Sequence, residues 1–289
     1  MIWLVGSRGM LGTELSVFFE KRGIPYIGTG REIDITDRST LRTFIRGVSS
    51  VVEWVINCAA YTAVDKAEDE AEMCRKINAE GAENIAVVAH EIGAKCIHFS
   101  TDYVFDGKRI SPYTENGATN PIGVYGETKR NGEILVLQNC PASYIIRTAW
   151  LYGRYGSNFA RTMCKLMNME ECVSVVEDQT GSPTWTFDLA CTVGAFMSEP
   201  DIPFGIYHFT DEGNITWFDF AAAIYKKARK ARVVKKECAV VPCTSDKFPA
   251  KVKRPAYSVL DKTKIKTTLG IVIPSWDTSL TSFLCSSED

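Results

Sequence analysis

The sequence predicts an α/β protein built on a doubly wound parallel sheet, with a smaller α/β lobe formed by the second half of the chain. Two observations carry this prediction. Short apolar runs alternate with longer amphipathic stretches through the first half, and such alternation is typical of a parallel sheet with helices on both faces. The runs IWLVG, WVINC and YIIRT are almost continuously apolar, as expected of strands that are buried on both faces.

Each element is predicted from the spacing of its apolar residues. The predicted strands cover residues 2–6, 25–29, 54–58, 95–100 and 144–147. Helices are predicted where apolar side chains recur at spacings of three and four, and Asp37 is predicted to cap one of them. The other helices of the first half cover residues 13–21, 68–92 and 124–138. Past residue 150 the pattern loosens into helices at 158–169, 187–197 and 217–230, with irregular segments at 177–186 and 244–260.

The composition restricts the class of protein. The chain has 289 residues, of which 45% are hydrophobic and 24% charged, and its formal net charge is −2. This is ordinary globular composition, and it gives no electrostatic reason to expect a nucleic-acid partner or an anionic membrane surface. The sequence lacks a signal-peptide pattern, and its apolar runs fall short of about 18 residues. We therefore expect a soluble, cytoplasmic protein.

The cysteine and histidine patterns argue against crosslinks and metal. The ten cysteines form no C-x-x-C pair, and most lie within apolar runs, which favours free, buried thiols over a disulfide framework. The three histidines, His90, His98 and His208, are widely separated and lack the spacing of zinc ligands. No metal site is predicted from these residues.

A glycine-rich turn follows the first predicted strand. Gly6, Gly9 and Gly12 form G-x-x-G-x-x-G where the first helix begins. Gly6 permits the tight turn, Gly9 lets the backbone approach a pyrophosphate, and Gly12 lets the helix pack close to the sheet. The alternative is a turn without a ligand. The motif predicts a Rossmann-like dinucleotide-binding domain over residues 1–150, completed by part of 170–200, and an interleaved lobe over residues 151–289.

The end of the second strand bears on the choice of cofactor. It reads GTGR, without the carboxylate that typifies NAD-dependent dehydrogenases. Arg31, with Arg8, can meet the 2′-phosphate of NADPH, which favours NADPH over NADH. The alternative is that Arg31 is a solvent-facing loop residue. Asp34 and Ile35 follow shortly, and they are candidate contacts for the adenine.

Tyr125 and Lys129 form Y-x-x-x-K within a predicted helix. Residues four apart on a helix share a face, and an ammonium group beside a phenol favours the phenolate and lowers the pKa of the tyrosine. A tyrosine prepared in this way can act as a general acid or base. For the motif taken by itself, a surface pair is the favoured interpretation.

Polar clusters follow the third and fourth predicted strands, at residues 57–62 and 100–107. Ligands of open parallel sheets bind at the carboxyl ends of the strands, so we expect these clusters to converge with the Y-x-x-x-K pair on one edge. Thr101 can then hydrogen-bond a substrate carbonyl oxygen and hold it for protonation by Tyr125. The sequence thus predicts an acid–base site beside the dinucleotide.

The chain resembles the extended short-chain dehydrogenase/reductase family and, within it, the dTDP-4-dehydrorhamnose reductases, over essentially its full length. The segments that carry the resemblance are GSRGMLG, NCAAYTAVDKAE, FSTDYVFDG, NPIGVYGETK, RTAWLYG, VVEDQTGSPTWTFDLA, GIYHFT and RPAYSVLD. The resemblance implies hydride transfer from NADPH or NADH to the C4 ketone of dTDP-4-dehydro-6-deoxy-L-mannose, with dTDP-L-rhamnose as the product. The second half of the chain would supply the nucleotide-sugar pocket.

The resemblance also implies roles for individual residues. Tyr125 would be the proton donor, Lys129 its electrostatic partner and a ribose ligand, and Thr101 the third catalytic residue. Arg254 is a candidate diphosphate ligand, with a plain surface arginine as the alternative. The implied cofactor residues are Gly6, Gly9, Met10, Leu11, Gly12, Arg31, Asp34, Ile35, Ala60, Tyr61, Thr62, Tyr125 and Lys129. The implied substrate residues are Val64, Thr101, Asp102, Tyr103, Trp150 and Arg254.

Some members of this family are described as holding Mg²⁺ between subunits through acidic residues. Glu14 matches one such position, and Asp188 is the nearby acid in its motif. The resemblance therefore leaves open a homodimer and a bridging Mg²⁺.

Two other functions are open at this point. The NADP-binding regulatory subunit of methionine adenosyltransferase resembles the same family without catalysing a reduction, although Thr101 and Trp150 favour a sugar reductase. A reductase for another nucleotide-activated 4-keto sugar is the second alternative, because the sequence does not identify which hydroxyl pattern the pocket accepts.

Overall fold

The computed structural model describes residues 1–247 and 250–285. A six-stranded parallel sheet lies at its centre, and its strands, numbered along the chain, follow the order β10-β5-β4-β3-β1-β2. They are β1 (Ile2–Val5), β2 (Tyr26–Thr29), β3 (Trp54–Asn57), β4 (Lys95–Thr101), β5 (Ser143–Thr148) and β10 (Gly205–His208). Because β1 lies between β2 and β3, the winding direction reverses there, and this is where open sheets bind ligands.

The doubly wound α/β fold predicted from the sequence is confirmed, and all five predicted strands are present. The sixth strand, β10, was absent from the prediction. It pairs with β5 from Gly205↔Tyr144 to His208↔Arg147. Its four residues form too short an apolar run to stand out by periodicity, and their pairing partner lies far away in the sequence.

Helices cover both faces of this sheet. On one face, α1 and α8 bury Phe18, Phe19 and Phe196 against the strands, and on the other, α5 and α6 bury Ile85 and Val136. The helices are α1 (Met10–Lys21), α2 (Arg38–Arg46), α3 (Val64–Ala67), α4 (Ala71–Arg75), α5 (Ala82–Glu91), α6 (Val124–Asn139), α7 (Phe159–Met169), α8 (Thr186–Ser198), α9 (Trp217–Lys230), α10 (Thr263–Leu269) and α11 (Trp276–Cys285).

The helix predicted over residues 68–92 is wrong at its start and in its regularity. Helix α4 begins at Ala71, and a π-helical segment, Lys76–Gly81, joins it to α5. The π segment places Asn78 in the protein interior, where its backbone touches Gly132 of α6 closely enough that a Cβ would not fit. A period of 3.6 does not reveal such an insertion, because the apolar residues on either side keep helical spacing. By contrast, Asp37 caps α2 as predicted, accepting from the Ser39 N–H at 2.9 Å.

The second half of the chain also forms an aromatic core of its own. Tyr152, Trp185 and Phe220 pack together with α7, α9 and α11. The smaller strands there are β6 (Leu151–Tyr152), β7 (Cys172–Val176), β8 (Thr180–Gly181), β9 (Thr184–Trp185), β11 (Ile215–Thr216) and β12 (Ala239–Cys243). The irregular segment predicted over 177–186 therefore contains β8 and β9. Of the other irregular segment, 244–260, residues 248–249 lie outside the described residues, and the domain boundaries stay a prediction.

The cysteines are free, as expected, but fewer of them are buried than the sequence predicts. All ten cysteines are free thiols, but only five of them are buried, and Cys172 and Cys285 are exposed. Within residues 1–247 and 250–285, no helix combines the length and the apolarity needed to cross a bilayer.

Candidate active site

The glycine-rich turn connects β1 with α1. Gly6 has φ +77°, and a Cβ there would lie 2.7 Å from the backbone nitrogen of Ala59, while a Cβ on Gly12 would collide with the Gly6 carbonyl. Gly9 is the N-cap of α1 and makes no side-chain cap. The first N–H groups of a helix have no partner within it, so those of Met10 and Leu11 are available to an anion. The side chain of Leu11 belongs to the core.

A cleft of about 990 Å³ opens at this turn. It extends from the glycine turn along the residues that follow β2 and β3. Eight of the predicted cofactor residues line it, namely Gly6, Gly9, Arg31, Asp34, Ile35, Ala60, Tyr61 and Thr62. The sequence prediction did not include Lys66 and Met73, which line it as well. The cleft thus runs along the carboxyl edge of the sheet, from the loop after β2 on the predicted adenine side to the loop after β3.

The loop after β2 carries a carboxylate that the sequence prediction had not placed there. Glu32 accepts from the Gly30 N–H at 2.6 Å and pairs with Arg8 across 3.4 Å. Backbone hydrogen bonds, from Gly30 first, lower the pKa of Glu32. Arg31 is exposed, and Asp34 accepts from the Thr36 N–H at 2.9 Å. Strand β2 ends at Thr29 without a carboxylate, as predicted, but the loop after it turns the Glu32 side chain back towards the strand end.

Asn78 fixes the segment that follows β3, a role that the sequence prediction missed. Its Oδ1 accepts from the Tyr61 N–H at 2.8 Å, and its Nδ2 donates to the Tyr61 carbonyl at 3.0 Å. The same Nδ2 lies 3.3 Å from the Thr128 hydroxyl on α6. The π segment therefore connects the cleft wall at Tyr61 with the helix that carries Tyr125 and Lys129.

Thr101 and Asp102 lie at the end of β4 and are buried. The Thr101 hydroxyl donates to Asp102 Oδ1 at 3.0 Å and accepts from the Tyr103 N–H at 3.2 Å. Asp102 Oδ2 has no hydrogen-bond partner within 3.5 Å among the described residues. Burial raises the pKa of Asp102 to about 6, although the Ser258 hydroxyl is near enough to the carboxyl to lower its pKa slightly. A free carboxylate oxygen in a dry site is a strong acceptor for a ligand hydroxyl.

Tyr125 lies beside this pair, on the first turn of α6. Burial raises the pKa of Tyr125, and the nearby Thr101 hydroxyl lowers it by less. Its ring packs edge-on against Tyr103, with 5.5 Å between the centroids. The lowered pKa expected from a neighbouring lysine is wrong for the chain without a cofactor, because loss of hydration outweighs the favourable contacts.

The Lys129 amine is hydrogen-bonded to strand β4. Its Nζ donates to the Phe99 carbonyl at 2.6 Å and lies 3.4 Å from His98 Nε2. Burial lowers the pKa of Lys129 to about 8, although Glu133 acts in the opposite direction. The motif prediction placed the two side chains on one face of the helix. It could not show that a backbone carbonyl of β4 competes for the amine.

An ion pair in the interior supports this part of the site. Arg147 of β5 forms two hydrogen bonds with Glu133 of α6, at 2.8 and 2.6 Å. Ser100, next to Thr101, donates to the same carboxylate at 2.5 Å. Both members of the pair are almost fully buried, so removal of either one would leave an unpaired charge in the core. This pair fixes α6 against the strand ends.

A segment of the second half closes over the site. Arg254 donates to Asp65 Oδ2 at 2.9 Å and to the Tyr103 hydroxyl at 3.3 Å. The neighbouring Lys251 pairs with Asp69. Arg254 is therefore a half-buried residue in contact with Tyr103, a predicted substrate residue, and not a plain surface arginine. Val64 begins the short helix α3 that contains Asp65.

Trp150 follows β5 at the same edge of the sheet and has an unusual backbone. Its φ is +47°, a conformation that is rare for a bulky residue and occurs mainly at functional sites. The indole stacks on Trp217 with 3.6 Å between ring centroids and a 9° tilt. On its other side, a Cβ on Gly181 would lie 2.6 Å from the indole. Trp217 and Gly181 are neighbours that the sequence prediction did not identify.

The acidic residues considered for a metal do not fit one. Glu14 is 5% exposed and accepts from the Thr186 hydroxyl at 2.8 Å. Asp188 accepts from the Ser279 hydroxyl at 2.6 Å. Within residues 1–247 and 250–285, no group of three or more potential metal ligands is present. The expectation of a bridging Mg²⁺ is therefore not supported.

The arrangement as a whole defines a class of enzyme. A dinucleotide turn lies at the end of β1, a threonine at the end of β4, and a tyrosine and lysine on the following helix, all at one edge of a parallel sheet. This is the arrangement of an extended short-chain dehydrogenase/reductase, as expected from the sequence. Buried groups with shifted pKa values beside a cleft are suited to proton transfer.

The comparisons with known proteins agree with this class. The family described as RmlD substrate binding domain matches residues 1–288, so the chain belongs to that family and is an oxidoreductase. A relative from Streptomyces griseus, named dTDP-4-dehydrorhamnose reductase, is 42% identical over 96% of this chain and 91% of its own length. The solved structure of a dTDP-4-dehydrorhamnose reductase from Bacillus anthracis in complex with NADP is 35% identical, with a TM-score of 0.91, and covers 98% and 97% of the two chains.

A further relative carries a different name. It comes from Streptomyces niveus, is called dTDP-4-keto-6-deoxy-D-glucose reductase, and is 38% identical over 96% of this chain and 95% of its own length. Relatives of similar identity thus have names that specify two different 4-keto sugars.

Proposed function

We propose that the chain reduces the C4 ketone of dTDP-4-dehydro-L-rhamnose to dTDP-L-rhamnose, with NADPH or NADH as the reductant. The carrying observation is that Thr101, Tyr125 and Lys129 lie at the same carboxyl edge of the sheet as the cleft, although they are not among the residues that line it. The name of the Streptomyces griseus relative and the NADP in the Bacillus anthracis structure support this proposal.

The proposed mechanism assigns the proton to Tyr125. A bound reduced nicotinamide supplies the hydride for the ketone carbon. Tyr125 donates its phenolic proton to the developing alkoxide, and its raised pKa keeps that proton in place until the ketone is reduced. Thr101 turns its hydroxyl from Asp102 towards the ketone oxygen and holds it within reach of Tyr125. Lys129, as an ammonium, stabilises the phenolate that is left behind.

The cofactor-binding residues are part of the proposal. The open N–H groups of the first turn of α1 suit a pyrophosphate, and the exposed cations Arg8 and Arg31 suit a 2′-phosphate. NADPH is therefore the preferred cofactor, and Glu32 beside Arg8 leaves NADH as an accepted one. We propose the following cofactor residues: Gly6, Gly9, Met10, Leu11, Gly12, Arg31, Asp34, Ile35, Ala60, Tyr61, Thr62, Tyr125 and Lys129.

The substrate-binding residues are proposed from the free groups at the other end of the site. Asp102 Oδ2, which lacks a hydrogen-bond partner among the described residues, suits a sugar hydroxyl. Arg254 would exchange Asp65 for a phosphate of the nucleotide diphosphate. Val64, Tyr103 and Trp150 form the surrounding wall. From the sequence we also propose a division into two domains, a homodimer and a cytoplasmic location.

A coupled assay tests this function. dTDP-4-keto-6-deoxy-D-glucose is converted in situ by a 3,5-epimerase to the L-rhamno ketone, and cofactor oxidation is followed at equal concentrations of NADPH and NADH. The expected result is turnover that depends on the epimerase. NADPH affinity is measured separately. A preparation that binds NADPH but oxidises none would overturn the proposal and favour a non-catalytic binding subunit.

The second candidate function is reduction of dTDP-4-keto-6-deoxy-D-glucose itself, which the name of the Streptomyces niveus relative favours. The same assay separates the two, because this activity would not need the epimerase. Product analysis by NMR of the released sugar then identifies the configuration at C3, C4 and C5. Equal rates with and without epimerase would assign the D-glucose activity.

A further inference from the structure

The amine of Lys129 is enclosed by β4. It is 2% exposed, and it donates a hydrogen bond to the Phe99 carbonyl at 2.6 Å. The other neighbour is the imidazole of His98, with Nε2 3.4 Å from Nζ. Whether this imidazole offers a lone pair or an N–H to the amine depends on its tautomer, and the tautomer is set on the opposite side of the ring.

Asn57 faces that side of the ring. Its Nδ2 lies 3.0 Å from His98 Nδ1, and its Oδ1 accepts from the Ala59 N–H at 3.0 Å. A backbone N–H can only donate, so the amide oxygen must point at Ala59 and the amide NH₂ must point at the ring. Nδ1 of His98 is therefore the acceptor and carries no proton.

The proton of His98 then lies on Nε2. The ring is neutral, because burial and the neighbouring Lys129 hold the pKa of His98 well below its usual range. A neutral imidazole has one N–H, and with Nδ1 accepting, that N–H points at the Lys129 amine. It meets the amine as a donor and offers no lone pair to an ammonium group.

The other buried histidine has the opposite arrangement. Arg147 directs an N–H at His208 Nε2 over 3.3 Å, and His208 Nδ1 lies 3.1 Å from the Tyr113 carbonyl. An arginine can only donate and a carbonyl can only accept, so His208 carries its proton on Nδ1. His208 therefore serves as an internal reference with the opposite tautomer to that of His98.

We propose that Asn57 and His98 are positioning residues that disfavour the charged form of Lys129 until a dinucleotide is bound. Asn57 fixes the tautomer, and His98 presents an N–H where an ammonium would require an acceptor. The ribose hydroxyls of a bound cofactor would supply acceptors, and the ammonium form of Lys129 would then be favoured. This inference rests on the proposed role of Lys129 for its catalytic meaning, but not for its structural test.

The other groups around Lys129 act in both directions. Glu133 on the same helix favours the ammonium, and the thiols of Cys74 on α4 and Cys58 after β3 do so only if they lose their protons. Burial raises the pKa of both thiols, which keeps them neutral. Tyr125, one turn earlier on the helix, is neutral for the same reason. The donor of His98 thus acts together with burial against a single carboxylate, that of Glu133 one helical turn away.

Nitrogen NMR of the protein labelled with ¹⁵N-histidine tests the tautomer without cofactor or substrate. The chain has three histidines, so the three ring systems can be assigned with His90→Gln and His208→Gln. We expect His98 with its proton on Nε2 and His208 with its proton on Nδ1, both neutral between about pH 5 and pH 8, where an ordinary histidine changes its charge. A proton on His98 Nδ1 would overturn the inference whatever the activity of the enzyme.

Two variants test the effect on Lys129. In Asn57→Asp the new carboxylate accepts from Nδ1, so the proton of His98 moves to Nδ1 and Nε2 presents a lone pair to the amine. The pKa of Lys129 is then expected to rise by at least about one unit. His98→Gln, which can also turn an acceptor to the amine, is expected to act in the same direction. The measurements are the titration of the ¹³C-labelled Lys129 ε-carbon in the cofactor-free protein and the basic limb of kcat/KM against pH, near pH 8 in the unmodified chain.

The exposed residue Asn214 provides the matched control, because Asn214→Asp adds the same charge at a different loop, where water screens it, and should leave both readings unchanged. Titration and kinetics that stay fixed in folded, NADPH-binding Asn57→Asp and His98→Gln proteins would overturn the inference. If the ε-carbon titration moves while the kinetic limb does not, the inference about Lys129 stands and the proposed catalytic role of Lys129 fails. If both variants misfold, the histidine tautomer in the unmodified chain decides.

Discussion

The two ends of the candidate site, the open cleft at the adenosine side and the buried group around Thr101, hold their charges in different ways. At the adenosine end, Arg8 and Glu32 pair across 3.4 Å with side chains that are 78% and 45% exposed. At the catalytic end, Asp102 and Lys129 are each 2% exposed, and burial moves both pKa values towards neutrality. Water screens charges at the first end but hardly at the second. We infer that the buried end carries the chemistry and that the open end adjusts the choice between similar cofactors.

The largest effect should follow a change of the buried proton donor. Tyr125→Phe removes the phenolic proton without changing the packing of the ring, and kcat should fall by about 10²–10⁴-fold, the usual contribution of a positioned acid. The affinity for NADPH, measured by fluorescence titration, should stay within about threefold, since the lost group acts in the transition state.

Tyr26→Phe is the matched control for this prediction. The Tyr26 hydroxyl donates to Glu20 at 2.6 Å. Tyr26 is the first residue of β2, whereas the site lies at the carboxyl ends of the strands. This variant should keep full activity. Unchanged turnover in Tyr125→Phe would remove that residue from the mechanism and weaken the distinction between the two ends.

A smaller loss is expected when the neighbouring hydroxyl is removed. Thr101→Val keeps the shape of the side chain and deletes the group that reaches Asp102 and Tyr125, so kcat should fall by about 10²-fold, as for one lost donor in an oxyanion site. Steady-state kinetics with both cofactors provides the measurement. Thr267→Val, which removes a hydroxyl bonded only to carbonyls of its own helix, should have no such effect.

The third prediction concerns stability and pH. The pKa of Asp102 rises from 3.8 to about 6 on folding, so the native state favours the protonated form. The stabilising contribution of Asp102 is full below about pH 4 and is lost as the pH rises to 6 and beyond. Asp102→Asn should therefore stabilise the protein by about 2–3 kcal/mol above pH 7, and by almost nothing near pH 4, while activity decreases.

Urea unfolding of Asp102→Asn at both pH values checks this sign. Asp277→Asn is the control, because Asp277 pairs with Lys227 at the surface and such pairs contribute at most about 1 kcal/mol. A stability gain of Asp102→Asn that is equal at the two pH values would show that the carboxyl is not ionised in the folded site.

The smallest effects are expected at the open end. Arg8→Ala should lower the ratio of kcat/KM for NADPH to that for NADH by about two- to fivefold, and Glu32→Gln, which releases Arg8, should raise it by a similar factor. Both effects should shrink in high salt because the groups are exposed. A change of more than about 10²-fold would mean that the adenosine end is as dry as the catalytic end. Arg42→Ala, in another exposed pair, serves as the control.

The parts of the fold and site that could be predicted from sequence are those with local signals. The glycine turn, each strand of the first half and the Tyr125–Lys129 pair are each defined by residues that are close together in the sequence. The parts that were missed depend on distant partners. Glu32 reaches the strand end because of a loop conformation, Trp150 is held by Trp217, and β10 pairs with β5 from the other half of the chain.

The pKa of Tyr125 illustrates a different limit. The spacing of Tyr125 and Lys129 predicts proximity, and proximity suggests a lowered pKa. The structure gives a raised one, because burial acts on both residues and the Phe99 carbonyl holds the amine. The sign of such a shift is the balance between loss of hydration and a charge contact, and sequence spacing reports only the contact.

The pairing of β10 with β5 has a consequence for synthesis. β5 ends at Thr148, and its outer neighbour begins at Gly205, so a ribosome that adds about 5–20 residues per second leaves that strand edge uncovered for about 3 to 11 seconds. An uncovered, apolar edge strand is a template for pairing with other nascent chains. The sheet that carries the whole site is thus completed late in translation, and the window before its completion is when the growing chain is most exposed to aggregation.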